Sequence, residues 1–339
     1  MDQSELIIDF GRLGTLLETY LRKEVSLPLL DGAIQKSVEA NYWFTDYHIV
    51  DRLTTIVQSY LSLQNLSVWL SNYSNVWFQF STEIAIVMAG NIPLVGFHDY
   101  MSVLASGRRV SIKLSSKDLY LLPAIHELLC TLSPSLQTKV RFVTEVPLNV
   151  SGLIATGSDG TASWFNKHYA QLPKIVRGHR VSAAVIPLDI TDDEIKLLHR
   201  DMFLYFGLGC RSVVRLFVPD RFDLSRLIDC ACHSRESLHQ GFKNSYKRQK
   251  ALLTLLGTPF TDGRFFLLQQ TSEWNPPLAT VYYTYYHSIN EVIMTLEEAA
   301  SQMQCVVGRG TDIKNCITFG SAQNPQLWDY ANGIDTMKL

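Results

Sequence analysis

Two hydrophobic rhythms divide this chain. Before residue 79 the apolar positions recur with helical spacing: Leu13, Leu16, Leu17, Tyr20 and Leu21 mark one buried face. Ile49, Val50, Leu53, Ile56, Val57, Tyr60 and Leu61 mark another, with Thr45 and Asp46 as candidate N-caps. Trp43, Trp69 and Trp77 frame this region, which reads as a packing front end. From Glu83 onward, short apolar runs alternate with amphipathic stretches. Runs at 84–88, 110–114, 140–143 and 152–155 have the texture of strands buried on both faces. Between them lie a helix with Tyr100, Met101 and Leu104 inward that stops at Gly107, and another opened by Ser115, Ser116, Lys117 and Asp118. A helix over 162–171 follows the last run.

A second block begins near Val181, with a strand at 181–186, a helix over 192–205, a strand at 213–218 and a helical stretch from 224 to 256. Strands at 265–268 and 280–285 flank a turn at 273–277, and the polar end from 319 is expected to pack back onto the body. Strands alternating with helices at this spacing predict βαβ units and mainly parallel, doubly wound sheets. In such sheets ligands bind beyond the carboxyl ends of strands. Asn91, Lys113, Ser115, Gly157 and Ser158 fall there.

Composition narrows the function. The 339 residues are enough for two domains, with 47% hydrophobic and 18% charged residues. A net charge of −2 with no basic stripe argues against nucleic acid and anionic membrane surfaces. The start, Met1 to Leu6, lacks the basic and apolar run of a signal peptide, and no run of about 20 apolar residues offers a spanning helix. A cytoplasmic protein is expected, and its six cysteines then stay reduced. Cys230, Cys232 and His233 lie close together, but no second CxxC or HxxxH completes a metal site, so no metal is expected.

One cysteine stands apart. Cys210 follows Gly207, Leu208 and Gly209, after an amphipathic helix and before an apolar strand, which presents a thiol rather than packing it. Read alone, it is either a nucleophile or a core cysteine. Thr156-Gly157-Ser158-Asp159-Gly160, between strand and helix, is a candidate phosphate cradle, without the full G-x-G-x-x-G or P-loop pattern. Asn91 before Ile92-Pro93 reads locally as a turn former, and Lys113 ends a strand.

The order of these segments resembles the aldehyde dehydrogenase superfamily, and within it the fatty acyl-CoA reductases of the bacterial bioluminescence (LuxC-type) group. Gly90-Asn91-Ile92-Pro93-Leu94 is similar to the family's Asn-Phe-Pro turn, and the stretch 107–116 to its strand and Lys-Pro-Ser-Glu turn. Thr156-Gly157-Ser158 resembles the Thr-Gly-Ser turn, and Gly207-Leu208-Gly209-Cys210 the nucleophile segment. Glu273-Trp274-Asn275-Pro276-Pro277 resembles the Glu-x-Phe-Gly-Pro segment. The likeness runs co-linearly from about residue 80 to about 310, and Arg177-Gly178-His179-Arg180 with the 90–96 segment points to the acyl-CoA reductase branch.

The resemblance implies an aldehyde-dehydrogenase-like α/β fold of two doubly wound domains with a helical N-terminal region. The expected division is a helical region at 1–78, a nicotinamide-cofactor domain at 79–180, a catalytic domain at 181–318 and a packing segment at 319–339. It implies that Cys210 attacks an acyl thioester in a cleft between the domains, with Asn91 holding the oxyanion, and that hydride from NADPH releases the aldehyde. Lys113, Ser115 and Ser116 would meet the adenosine ribose, Gly157 and Ser158 the pyrophosphate, and Glu273 the nicotinamide ribose. His179 is a candidate proton donor or phosphate contact. Arg177 and Arg180 are candidates for CoA phosphates or for ion pairs within the fold.

Three departures matter. The segment 174–179 lacks the carboxylate that activates water in aldehyde-oxidising relatives, which suits exchange with CoA instead. Ser116, followed by Lys117, replaces the Glu that would repel a 2′-phosphate, which favours NADPH over NADH. The N-terminal part is short for the superfamily, which leaves a homo-oligomer an open expectation. Besides an acyl-CoA substrate, an acyl-donating protein is a candidate partner. The alternatives are a CoA-acylating aldehyde dehydrogenase, an acyl-phosphate reductase, or an acyl-transfer protein that uses Cys210 without reduction.

Overall fold

A computed structural model describes residues 3–73, 82–230, 234–310, 313 and 316–339. Trp77, Cys232 and His233 lie outside the described residues, as do Met1 and Asp2 and the expected boundary at 78/79. The chain divides into two units, Met1–Gly178 with Pro325–Leu339, and His179–Asn324. The polar C-terminal end is therefore shared: residues up to Asn324 go with the second unit and the rest with the first.

The first unit opens with four helices, α1 (Gln3–Leu21), α2 (Pro28–Ala40), α3 (Asp46–Thr55) and α4 (Leu63–Leu70). Most of the predicted stripes are buried, with Leu13, Leu17, Ile49, Leu53 and Ile56 fully so, but Val50, placed on the second stripe, is 42% exposed. Thr45 caps α3, accepting the His48 amide, and α3 runs on into a π-turn at Ile56–Tyr60. Then come β1 (Glu83–Val87), α5 (Phe97–Ala105), β2 (Arg109–Lys113), α6 (Leu121–Leu132), β3 (Val140–Phe142), β4 (Gly152–Thr156), α7 (Asp159–His168) and β5 (Lys174–Arg177).

The five strands form a parallel sheet in the order β3-β2-β1-β4-β5. Strand β1 shows why its sequence is an unbroken apolar run. Ile84 and Ile86 enter the core built by the helices, while Ala85 and Val87 enter a second core with Leu153, Ala155 and Phe165. The order reverses between β1 and β4, so the turns after these two strands flank a topological switch point. Strand β5 was not foreseen, because its Lys-Ile-Val-Arg run is too short and too charged to read as apolar. The C-terminal segment straps this unit: Trp69 Nε1 donates to the Tyr330 hydroxyl at 2.6 Å, and Tyr73 donates to Asp335 at 2.9 Å.

The second unit contains β6 (Val181–Val185), α8 (Asp192–Phe203), β7 (Val213–Pro219), α9 (Ser225–Cys230), α10 (Gln240–Leu256), β8 (Thr261–Asp262), β9 (Leu267–Gln270), β10 (Thr280–Tyr286), α11 (Ile289–Glu298), β11 (Met303–Val307) and β12 (Cys316–Ile317). Its sheet has the order β12-β11-β6-β7-β10-β9-β8, parallel except for the β8–β9 edge pair. Ala183, Val185, Phe217, Val292, Leu296 and Val306 form one of its cores. The single helix expected over 224–256 is instead α9, a 3₁₀ turn at Arg235–Leu238, and α10. The elements α11, β11 and β12 were not expected.

Helix α8 has a capping box: the Glu194 amide donates to Thr191 Oγ1, and the Thr191 amide donates to the Glu194 carboxylate at 2.8 Å. It ends at Phe203, two residues before the expected end. The cause is burial. Phe203 packs on Phe242, Phe265 and Phe266, and Phe206 packs at a tilt on His239 and Phe242. To bury both aromatics the chain turns left-handed, with φ of 58° at Tyr205, 60° at Phe206 and 74° at Gly207. Two of these are non-glycine, each costing on the order of 1–3 kcal/mol. Such strain is held only where packing over-determines it.

Candidate functional site

The candidate residues fall in both units, and each half has its own geometry. In the first unit, the turn after β1 carries Gly90 and Asn91, Lys113 is the last residue of β2, and the turn after it carries Ser115 and Ser116. The two turns are packed together. The Met88 amide donates to the Lys113 carbonyl at 3.0 Å. A Cβ on Gly90 would lie 2.6 Å from Ser115 Oγ and 3.0 Å from Lys117 Cβ, so only glycine fits. Asp118 completes the lock: its carboxylate accepts the Leu94 amide at 2.8 Å, holding Leu94 at φ 52°. Burial pushes the Asp118 carboxyl up to about 6, against the lowering effect of that hydrogen bond. Asp118 thus serves the Asn91 turn and not the start of α6, which begins at Leu121 without a side-chain cap.

Asn91 and Lys113 are half-buried and Ser116 is exposed. The Gly157 amide donates to the Arg177 carbonyl at 3.1 Å, and Ser158 caps α7 by accepting the Thr161 amide at 3.3 Å. Asp159, the first residue of α7, places its carboxylate against Gly178. Arg177 is 5% exposed, and its Nη1 donates to Asp99 Oδ2 at 2.6 Å while Nη2 donates to Thr336 Oγ1 at 3.2 Å. Of the two roles open for Arg177, ion pairing within the fold is the one it fills.

In the second unit, Cys210 is partly buried in the loop that enters β7. Ser182, at the start of β6, donates to the Cys210 carbonyl at 2.9 Å and lies 3.1 Å from the Cys305 thiol. Burial raises the Cys305 thiol, which keeps it protonated. Ser182 pairs with Val213 of β7, so the Cys210 loop sits at the amino ends of the sheet strands. In the first unit, by contrast, the candidates lie at the carboxyl ends of strands: Lys113 ends β2, and Asn91 and Ser158 follow β1 and β4.

Asp201, on the buried side of α8, accepts the Gly320 amide at 2.6 Å and the Ala322 amide at 2.9 Å. Burial pushes its carboxyl up to about 7, although both amides and nearby Arg200 and Arg211 pull it down. Arg211 Nε donates to the Ala322 carbonyl at 2.6 Å, and Gln323 Nε2 donates to Ser212 Oγ at 3.1 Å.

Glu273, Trp274 and Asn275 lie on the crossover from β9 to β10, which passes back over the sheet face. Arg215 of β7, 2% exposed, organises it. Its Nη1 donates to the Glu273 carbonyl, its Nη2 donates to Thr284 Oγ1 at 2.8 Å, and its guanidinium lies 4.3 Å from the Trp274 ring centroid. Glu273 and His179 are exposed, and a His179 ring nitrogen is 3.1 Å from Asn275 Oδ1. Arg180 donates to the Met303 carbonyl at 2.8 Å.

Sequence reasoning missed Asp118, Ser182, Asp201, Arg215 and Gln323. Two of them carried a signal: Asp201 lies three residues from Leu198 on the apolar stripe of α8, and Arg215 interrupts an apolar strand. A charge on a buried face needs partners, and both have them.

Neither a family model nor a curated protein sequence matches the chain. Solved structures do share its architecture. Aldehyde dehydrogenase 21 from Physcomitrella patens, in complex with the reaction product succinate, superposes with a TM-score of 0.69 at 12% identity, over 96% of this chain and 79% of that one. An aldehyde dehydrogenase from Bacillus cereus in complex with NAD+ gives a TM-score of 0.65 at 15% identity, over 93% and 73%. Succinic semialdehyde dehydrogenase from Streptococcus pyogenes, with NADP+ as cofactor, gives 0.65 at 12% identity, over 94% and 81%. The chain has the two-domain α/β fold of the aldehyde dehydrogenases.

Proposed function

We propose that the protein interconverts an aldehyde and an acyl thioester of coenzyme A, with a nicotinamide cofactor, through an acyl thioester on Cys210. The observation that carries the reading is the Cys210 loop. It offers a partly exposed thiol, tethered at its own carbonyl by Ser182, in a fold shared with aldehyde dehydrogenases. Glycine-flanked presentation after a strained turn is what a nucleophile needs. Asn91, fixed by the Gly90 and Asp118 contacts, is the assigned oxyanion donor, a role that contributes about 3–4 kcal/mol where it has been measured by substitution.

In the oxidative direction the Cys210 thiolate adds to the aldehyde carbonyl, and its C–H hydrogen leaves as hydride. The resulting acyl thioester on Cys210 is attacked by the CoA thiol, which loses its proton, and the Cys210 thiolate departs. The reductive direction retraces these steps: CoA leaves first, hydride is delivered to the acyl thioester, and the aldehyde is released. The nicotinamide, when bound, supplies or accepts that hydride. Lys113, Ser115 and Ser116 are the groups proposed for the adenosine ribose, Gly157 and Ser158 for the pyrophosphate, and Glu273 for the nicotinamide ribose. The exposed Ser116 followed by the Lys117 cation suits a 2′-phosphate, so NADP(H) is the cofactor of choice.

No carboxylate lies in the segment 174–179, where Arg177 is held by Asp99 and His179 is bonded to Asn275. This supports thiol exchange over hydrolysis in either direction. His179 and Arg180 remain the candidates for a proton or for CoA phosphates. The fold-sharing proteins are described as dehydrogenases, which favours the CoA-acylating, aldehyde-oxidising direction. Reduction of a fatty acyl-CoA is the second reading, carried by the sequence resemblance.

The test follows nicotinamide absorbance in both directions: aldehyde, CoA and NADP+ in one, and acyl-CoA with NADPH in the other, over short to long chains. Turnover that Cys210→Ala abolishes is expected. No turnover in either direction would refute the oxidoreductase reading, and labelling of Cys210 by acyl-CoA without nicotinamide consumption would replace it with acyl transfer. Tighter binding of NADH than of NADPH would overturn the cofactor assignment.

A further inference from the structure

The Cys210 loop is gripped from the far end of its own unit. Asp201 precedes it on α8 and accepts two backbone amides, from Gly320 and Ala322. The segment so held turns back on the loop at two points. Arg211, next to Cys210, donates to the Ala322 carbonyl, and Gln323 donates to Ser212 Oγ. The Ser212 amide in turn donates to the Gly209 carbonyl at 3.0 Å, which closes the turn around Cys210 itself. On the other side, Ser182 holds the Cys210 carbonyl.

Asp201 is fully buried, and two amides converge on its two oxygens, one each. A carboxylate in this place costs desolvation that an apolar side chain would not. It does not cap its own helix, whose N-terminus is closed by Thr191 and Glu194. What the carboxylate uniquely provides is two acceptors at fixed spacing, one for each of two amides in a segment without regular structure. That segment supplies the carbonyl that accepts from the Arg211 Nε and the amide that donates to the Ser212 hydroxyl.

We propose that Asp201 is a positioning residue for the nucleophile: it fixes the segment 320–323, which through Arg211 and Ser212 sets the angle at which Cys210 meets an acyl or aldehyde carbon. Asp201 does not touch substrate. Its effect falls on an oriented reaction and spares one that needs only an accessible thiol. This rests on the reading of Cys210 as the nucleophile.

The experiment uses the full-length chain and two reactions at Cys210, each mapped by mass spectrometry: acylation by an acyl-CoA, and alkylation by iodoacetamide. In Asp201→Ala, acylation is expected to slow by at least about tenfold, toward the hundredfold that a misplacement of about 1 Å costs. Alkylation is expected to stay within about threefold, because a small reagent accepts many approach angles. Asp201→Asn keeps one amide acceptor and is expected to fall between the wild type and Asp201→Ala. Gln323→Leu cuts a single link and gives the same split with smaller size, which keeps the test decisive should Asp201→Ala fail to fold.

Acylation of all three variants at the wild-type rate would overturn the inference while leaving the Cys210 reading intact. Equal loss of both reactions would also overturn it, in favour of a general loss of structure. A wild-type chain that no acyl thioester labels at Cys210 would instead refute the functional reading on which the inference rests.

Discussion

Breaking the buried pair of Arg177 and Asp99 is the most demanding test of how the first unit holds together. Arg177 ends β5, Asp99 lies in the first turn of α5, and Thr336 comes from the C-terminal segment. The Arg177 and Asp99 side chains are 6% and 10% exposed, with Nη1 and Oδ2 2.6 Å apart. Arg177 Nε is buried without a hydrogen-bond partner, so the pair is incompletely satisfied even when intact. Asp99→Ala would leave a buried guanidinium hydrogen-bonded, among the described residues, to Thr336. Removing one partner of such a pair costs about 3–5 kcal/mol. For a unit of this size each kcal/mol shifts the midpoint by about 2–4 °C, so the loss is on the order of 10 °C. Replacing both residues, as Asp99→Leu with Arg177→Met, removes both charges and is expected to return stability to within about 1 kcal/mol of the wild type, or above it. Thermal and urea unfolding, followed by tryptophan fluorescence and far-ultraviolet circular dichroism, read both outcomes. A shift below about 2 °C for Asp99→Ala, or a double variant as unstable as the sum of the singles, would refute the reasoning.

Other expectations follow from particular contacts. Asp118 keeps its proton up to about pH 6 when folded but ionises near the usual carboxylate value when unfolded, so the folded chain binds more protons between these limits. Its contribution therefore falls as pH rises from about 4 to 6. Asp118→Asn, which keeps an acceptor for the Leu94 amide, should gain on the wild type by on the order of 3 kcal/mol across that window in urea titrations. A difference that stays flat with pH would contradict the assignment. Gly207→Ala forces a side chain to φ 74° with the Met202 carbonyl 3.3 Å from its Cβ, and should cost about 1–2 kcal/mol in urea unfolding. Gly90→Ala would push the Asn91 turn off Ser115, and should lower acylation of Cys210 while its alkylation by iodoacetamide is retained. Unchanged acylation would detach Asn91 from the reaction. Ser116→Glu should weaken NADPH binding relative to NADH, measured by cofactor fluorescence.

The helices and the central strands were legible because each buries a stripe or both faces, and a buried face imposes its period on the sequence. Ile84 and Ala85 point to different cores, so the whole run at 84–87 had to be apolar. Elements that bury little left no such trace. β5 carries Lys174 and Arg177, and β12 is two residues long. The early end of α8 was hidden for another reason: 192–205 has good helical periodicity throughout, and only the aromatic cluster around Phe242 and Phe265 decides that Phe206 must turn away from the helix.

The sequence by itself singled out the candidates for chemistry: a glycine-flanked thiol at Cys210, the Asn91 turn, a strand-ending Lys113, Ser158 between a strand and a helix, and no carboxylate over 174–179. These are local facts, set by residue type and by the strand or turn just before. What holds them was decided only by tertiary structure. Cys210 reaches its clamp through Gly320 and Ala322, more than a hundred positions away, and Asn91 is steadied by Asp118 from the next βα turn. Even the end of the sheet at which Cys210 sits follows from pairing, because Ser182 of β6 lies beside Val213 of β7. A buried carboxylate or guanidinium has no period to announce it. Its partner is whichever backbone group the fold leaves unpaired nearby, and that is known only once the chain has closed on itself.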